Sequence, residues 1–97
     1  MTVAKIVKLR ARPGRTPDLD AALATAAAAA DTEPGTRVWE FFAGADSQSR
    51  IIIEIFAGHP AAAEHDRSAA VSALLASFAD VLDGAADVDV YTTSDQG

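Results

Sequence analysis

The stretch RVWEFFAGADSQSRIIIEIFA, residues 37–57, decides the fold. Two runs rich in β-branched and aromatic residues flank the polar segment ADSQS, and this order is typical of a β-hairpin. Side chains alternate between the two faces of a strand. Ile52 and Phe56 therefore share one face, and the opposite face carries three isoleucines, Ile51, Ile53 and Ile55. An antiparallel sheet with one face in water alternates apolar and polar residues, so this hairpin is predicted to be covered on both faces.

The chain before the hairpin predicts one strand and one helix. Residues 3–12 are rich in Val, Ile and Leu between basic residues, and Arg12-Pro13-Gly14-Arg15 is typical of a turn. Thr16 is expected to cap a helix with Pro17 at its first position. A stripe of leucine and alanine continues this helix to about Ala30.

The chain after the hairpin predicts a pair of helices and a last strand. Gly58-His59-Pro60 is expected to start a helix, and residues 71–82 carry the clearest helical periodicity, which Gly84 ends in a left-handed cap. Residues 87–93 alternate like a strand. The order strand, helix, strand, strand, helix pair, strand predicts one α+β domain over residues 1–97. We expect a ferredoxin-like split βαβ fold, with a four-stranded antiparallel sheet and its helices on one face.

Composition narrows the class of partner. Hydrophobic residues make up 49% of the chain, the net charge is −6, and cysteine is absent. No basic cluster is present, which argues against nucleic acid and anionic membranes as partners. No apolar run is long enough for a membrane span, and the N-terminus does not resemble a signal peptide. We expect a soluble cytoplasmic protein that binds small molecules or other proteins.

The hairpin is apolar on both faces, and this also predicts an oligomer. Helices on one face leave the other apolar face bare, and monomers rarely expose such a large apolar patch. A second copy of the chain is the simplest way to bury this face, so we expect a homodimer with its sheets packed face to face.

Several short motifs together resemble the antibiotic biosynthesis monooxygenase family. They are EPG at 33–35, Trp39-Glu40, Glu54 with Phe56, and AAAEH ending at His65. The resemblance spans essentially the whole chain and implies a dimeric α+β barrel. It also implies an activity from a group that includes cofactor-free oxygenases of aromatic polyketides or quinols and haem-degrading enzymes. The best-studied polyketide oxygenases carry an Asn and a Trp where this chain has Ile52 and Phe56, and this chain has no asparagine.

Two carboxylates of the hairpin are candidate catalytic groups. A turn centred near residues 46–48 puts Glu40 opposite, or nearly opposite, Glu54 on the face of Ile52 and Phe56. Facing carboxylates on an apolar surface repel, so at least one is expected to have a raised pKa and to serve as a base near neutral pH. The alternatives are that a basic residue of the first strand, Lys8 or Arg10, neutralises them, or that the strand register differs from this one.

His65 is the third candidate. It lies six residues from His59, about 240° around a helix, so the two cannot chelate one metal as an i, i+4 pair does. No metal site is expected. His65 shares a stripe with alanines and faces inward, where it can deprotonate a phenol beside Glu54. The alternative is a half-buried histidine bonded to a carboxylate or carbonyl.

The aromatic residues suggest a substrate-binding cavity between sheet and helices. Phe42 and Phe56 are the preferred walls, together with Ile52, and Tyr91 can offer a hydroxyl from the last strand. Trp39 is a further wall candidate, although strand pleating separates it from the two phenylalanines.

The leading hypothesis is a cofactor-independent monooxygenase acting on a small aromatic or quinol-type molecule. In the mechanism that the family resemblance implies, an aromatic hydroxyl is deprotonated and the anion reacts directly with dioxygen. Two alternatives stay open: an isomerase, cyclase or decarboxylase with the same acid–base groups, and a dimeric barrel that binds a small molecule without catalysis.

Overall fold

The computed structural model describes residues 1–94. The strands are β1 (Val3–Arg10), β2 (Thr36–Ala43), β3 (Ser49–Phe56) and β4 (Asp87–Thr92). The helices are α1 (Thr16–Ala30), α2 (His59–Asp66) and α3 (Ala69–Val81). All strand pairs are antiparallel, in the order β2-β3-β1-β4. The predicted ferredoxin-like α+β fold and the order of its elements are confirmed.

Burial alternates along the central strands and separates two faces of the sheet. On β3, Ile52, Glu54 and Phe56 are buried, whereas the three intervening isoleucines are only half-buried. Leucines of α1 and α3 pack with Ile52 in the main core. The inner face is therefore the helix-covered face that carries Ile52, Glu54 and Phe56, and the outer face is the one that carries Ile51, Ile53 and Ile55.

The hairpin register differs from the prediction by one residue. Glu40 pairs with Ile53, and Trp39 pairs with Glu54, so the hairpin is centred between Asp46 and Ser47 rather than on a residue. A slip of one residue moves every side chain of a strand to the other face. The prediction that Glu40 faces Glu54 is therefore wrong: Glu40 lies exposed on the outer face, and β2 presents Trp39 to the inner face.

Two predicted helix ends are also corrected. Thr16 is the first residue of α1 rather than its cap, and Arg15 is the cap residue. The Thr16 hydroxyl donates a 2.9 Å hydrogen bond to the Ser47 carbonyl. Helix α3 ends at Val81, since Leu82 is already extended. Gly84 does have a positive φ of 90°, but it lies in the turn that follows rather than at the helix cap. Across residues 1–94 no helix is both long enough and apolar enough to cross a membrane.

Candidate active site

A cavity of about 180 Å³ lies between the inner face of the sheet and α3. Four charged or titratable side chains border it: Lys5, Glu54, His65 and Asp66. The rest of the lining is mainly apolar and includes Val7, Trp39, Ile52, Val71, Leu74 and Phe78. An apolar cavity with a few convergent polar groups is the usual form of a small-molecule site.

Strand register places Glu54 in the floor of this cavity. Its neighbours on the two flanking strands are Lys5 of β1 and Trp39 of β2. The Glu54 side chain is 8% exposed. Burial is the main influence on its pKa and raises it above the ordinary value, while the charges of His65 and Lys5 act in the opposite direction. Glu54 is therefore a carboxyl that holds its proton at higher pH than a surface glutamate does.

Helix α2 brings His65 over the same carboxyl. The imidazole is 5% exposed, and its Nε2 lies 3.6 Å from Glu54 Oε1, which is close but longer than a hydrogen bond. Its ring centroid lies 5.1 Å from that of Phe56 and 6.5 Å from that of Trp39. The structure thus brings together two of the three predicted catalytic residues, His65 and Glu54.

Glu33 is a third carboxyl of this cluster, and its role was not predicted from the sequence. His65 Nδ1 donates a 2.7 Å hydrogen bond to Glu33 Oε1, which also accepts one of 2.7 Å from the Thr36 hydroxyl. A carboxylate has no proton to donate, so when the imidazole is neutral this bond places its proton on Nδ1 and leaves Nε2 as an acceptor toward the cavity. Proximity in the sequence offered no signal, since 32 positions separate Glu33 from His65.

Lys5, rather than Lys8 or Arg10, is the cation of β1 at this site. Lys5 Nζ contacts both carboxylate oxygens of Asp66, at 2.7 and 2.8 Å, and lies 5.6 Å from the centroid of the Phe56 ring. Lys8 is on the outer face, and Arg10 binds Asp46 at the hairpin turn. The alternation of β1 explains this choice, because odd-numbered positions of that strand face the helices.

The predicted substrate-binding residues divide between the two faces. Trp39 and Ile52 line the cavity. Phe56 is fully buried beneath His65 and is not part of the lining. Phe42 and Tyr91 lie on the outer face, 44% and 54% exposed, so their prediction as cavity residues is wrong. The register error behind the Glu40 prediction also accounts for Phe42, which was placed on the wrong side of the hairpin.

One polar group in the lining of the cavity, the indole N–H of Trp39, has no partner among residues 1–94. Its Nε1 atom is buried. His59 is exposed at the start of α2, away from His65. Among residues 1–94 no three side chains of His, Cys, Asp or Glu are grouped so that they could hold a metal ion.

Solved structures with the same fold come from several bacteria. Rv0793 from Mycobacterium tuberculosis matches with a TM-score of 0.91 and 24% identity over 99% of this chain and 98% of that one. A "putative antibiotic biosynthesis monooxygenase" from Nitrosomonas europaea gives 0.89 and 18%, over 95% and 89% of the two chains. A protein of the same description from Caulobacter crescentus CB15 gives 0.86 and 17%, over 93% and 87%.

No protein-family model and no curated sequence matches this chain. The similarity to known proteins is therefore one of structure. The chain has the fold of the proteins described as antibiotic biosynthesis monooxygenases, and the resemblance drawn from its motifs is confirmed at the level of the fold.

Proposed function

We propose that this protein is a cofactor-independent monooxygenase of a small aromatic hydroxyl compound, such as a hydroquinone. The observation that carries the proposal is the pair Glu54 and His65, buried at the wall of an apolar cavity. The names of the structural neighbours from Nitrosomonas and Caulobacter support the same class of reaction. A cavity of about 180 Å³ suits a single aromatic ring, since a protein cavity of about 150 Å³ binds benzene.

The proposed reaction starts with proton transfer. His65 Nε2 accepts the proton of the substrate hydroxyl, and the resulting phenolate lies in a cavity with the Lys5 ammonium at its edge. The electron-rich anion then reacts with dioxygen. For a hydroquinone, one oxygen atom enters the ring, the other leaves as water, and the product is a hydroxyquinone. The substrate supplies all four electrons that reduce dioxygen, so the balance needs no further reductant.

Oxygen uptake by the purified protein tests this proposal. Hydroquinones and an anthrone are supplied in turn, consumption is followed with an oxygen electrode, and incorporation of labelled dioxygen is read by mass spectrometry. Turnover with one labelled oxygen atom in the product is the expected result. No consumption above the buffer blank across the panel would overturn the proposal. Conversion without oxygen consumption would instead identify an isomerase, cyclase or decarboxylase.

Matched variants connect the activity to the site. His65→Ala is expected to lower kcat by about a hundredfold or more, the usual contribution of a general base. His59→Ala removes the other histidine from the same helix and is expected to leave kcat unchanged, because His59 is exposed. Ala86→Phe fills the lining and should raise KM, whereas Ala85→Phe changes an exposed neighbour outside it. A His65→Ala variant as active as the parent would contradict the assignment of the base.

We also propose that the active form is a homodimer joined through the outer face. No helix within residues 1–94 covers Ile51, Ile53 and Ile55, and Phe42 beside them is 44% exposed. Tyr91, on the outer face of β4, is 54% exposed. A self-complementary apolar sheet face is the usual surface of a twofold interface.

A further inference from the structure

A second cleft lies on the far side of His65 from the cavity. Its walls are the segment that leads into β2, with Glu33 and Gly35, and helix α2, with Ala61 and Glu64. His65 borders both this cleft and the cavity. The imidazole therefore forms part of the partition between the two spaces.

A chain of three neighbouring titratable groups runs across this partition. Glu54 Oε1 is 3.6 Å from His65 Nε2, and His65 Nδ1 is 2.7 Å from Glu33 Oε1. The Glu54 and His65 side chains are 8% and 5% exposed, whereas the Glu33 side chain is 22% exposed. The inner end of this chain of groups is in the cavity, and the outer end reaches solvent at the second cleft.

We propose that Glu33 orients His65 and carries the proton released in the cavity out to the second cleft. This inference rests on the proposed function for the source of the proton. Glu33 is a positioning residue through its hydrogen bond to Nδ1, and it is also the outer acceptor of the relay.

The proton balance of the relay is simple. The substrate hydroxyl gives its proton to His65 Nε2. The Nδ1 proton moves to Glu33 Oε1, so the imidazole is neutral again with its proton on Nε2. Glu33 then releases its proton to water in the second cleft. When the second oxygen atom of dioxygen leaves as water, it takes the Nε2 proton, and Nδ1 takes a proton back from the second cleft through Glu33. The starting tautomer is restored, and the reaction releases no net proton.

The surroundings of His65 leave Glu33 as the natural exit. The imidazole faces Glu54 of β3, and this buried carboxyl is a poor route for a proton to reach solvent. The cation Lys5 of β1 is engaged by Asp66 of α2. Glu64, also on α2, is exposed and pairs with Arg67 rather than with the imidazole. Glu33 alone among these acceptors combines a short bond to His65 with contact to solvent.

The tautomer of His65 tests the positioning part without any substrate. Long-range proton–nitrogen correlation spectra of the labelled protein identify which nitrogen is protonated, at a pH about two units above the ordinary histidine value. We expect Nδ1–H in the wild type and in Glu33→Gln, whose amide oxygen still accepts. We expect a substantial Nε2–H population in Glu33→Ala. An unchanged tautomer in Glu33→Ala, or Nε2–H in the wild type, would overturn the inference.

The rate of oxygen uptake tests the relay part. Glu33→Gln keeps the hydrogen bond but has no carboxylate to take a proton, so we expect its kcat to fall about tenfold or more. Glu64→Gln is the matched control on the same cleft and should keep the wild-type kcat. A Glu33→Gln variant with the wild-type kcat and pH profile would overturn the relay while His65→Ala still tested the proposed function. The tautomer measurement decides the orienting role even where no substrate of the panel is turned over.

Discussion

The fold does not require a glutamate at position 54. Its neighbours on the inner face of β3, Ile52 and Phe56, are buried apolar side chains, and an apolar residue between them would pack without a charge to desolvate. A buried ionisable group costs stability unless it is partnered, and positions that break the local pattern in this way are often functional. The cost makes Glu54 measurable by its effect on stability.

The first prediction concerns the pH dependence that Glu54 imposes. Because burial raises its pKa in the folded state, the folded protein binds the proton more tightly than the unfolded chain does. Its contribution to the free energy of unfolding is fully present below the ordinary glutamate value of 4.5 and is lost as pH rises through the raised pKa. Glu54→Gln has no carboxyl to ionise and does not lose stability in this way. We therefore expect its free energy of unfolding, relative to that of the wild type, to increase with pH above 4.5.

Urea denaturation at a series of pH values and at one protein concentration measures this difference. Glu64→Gln is a suitable control, because the Glu64 side chain is 76% exposed. A stability difference between Glu54→Gln and the wild type that does not change with pH would contradict the raised pKa.

The sequence predicts the position of a residue correctly where that position depends on a single helix or strand. An inward His65 follows from the helical stripe it shares with alanines, and the structure places the imidazole 5% exposed. Glu33 could not be found in this way, since its contact with His65 joins a loop to a helix and depends on tertiary packing.

At the scale of elements, the approach of α2 to the start of β2 sets the geometry of the site. A Cβ atom added to Gly35 would lie 2.5 Å from Ala61 Cβ, which no real contact allows. Gly35 therefore lets α2 pack close to β2, and α2 carries His65 to Glu33. Only glycine fits here for reasons of space, and the Gly35 backbone does not have a positive φ.

The second prediction follows from this contact. Gly35→Ala overpacks the junction and should lower the free energy of unfolding by about 1–3 kcal/mol. Adding Ala61→Gly removes the opposing methyl group, so in that background the cost of Gly35→Ala should fall below about 0.5 kcal/mol. Chemical denaturation of the four proteins of the cycle gives both values. Equal costs in the two backgrounds would show that the methyl–methyl contact is not the cause.

The hairpin turn is the element that sets the register of the sheet. Asp46 Oδ1 accepts 2.8 Å hydrogen bonds from the backbone N–H groups of Gln48 and Ser49, and its other oxygen accepts from Arg10 at 3.1 Å. These bonds, the one from the Gln48 N–H foremost, lower the pKa of Asp46 from 3.8 to about 2. The carboxylate therefore stabilises the folded turn as long as it is ionised.

The third prediction uses Asp46→Asn, which keeps an acceptor for the backbone but loses the charge. A lowered pKa means that the stabilisation is present above 3.8 and is lost as pH falls through about 2. The wild type should thus be more stable than Asp46→Asn at pH 5, and the difference should shrink as pH approaches 2. Urea denaturation across this range measures it. A difference that stays constant would indicate that the charge contributes nothing.

Elements were predictable from the sequence, and their register was not. Proline, glycine and apolar periodicity mark starts, ends and faces locally, so the seven elements were placed to within a few residues. Register depends on where the turn is centred, and half a residue separates a centre on Ser47 from the observed one between Asp46 and Ser47. That half residue moved Glu40 and Phe42 to the outer face.

At the scale of the whole molecule, the helical layer covers the inner face only, and β4 least of all. Val88 and Val90 of this strand are 51% and 55% exposed although both lie on the inner face. Leu75 of α3, across the edge of the cavity, is 58% exposed. The cavity therefore opens toward an apolar edge, and a molecule that enters the cavity would pass over apolar side chains.

The last prediction is that a single charge on the outer face abolishes the proposed dimer. Ile53 lies near the middle of that face, between Ile6 of β1 and Glu40 of β2. Ile53→Glu would bury a carboxylate next to Glu40 and its copy in the interface, and burial of unpaired like charges is strongly unfavourable. Ala24→Glu adds the same charge on an exposed position of α1 and is the matched control.

Sedimentation equilibrium at micromolar concentration separates the outcomes. The wild type and Ala24→Glu should sediment as dimers of the 10.0 kDa chain, and Ile53→Glu as a monomer that circular dichroism shows to be folded. A wild type that sediments as a folded monomer would rule out the dimer, whatever the variant does. A dimer that survives Ile53→Glu would place the interface elsewhere, because two apolar sheet faces cannot stay packed around four carboxylates without losing the burial that holds them together.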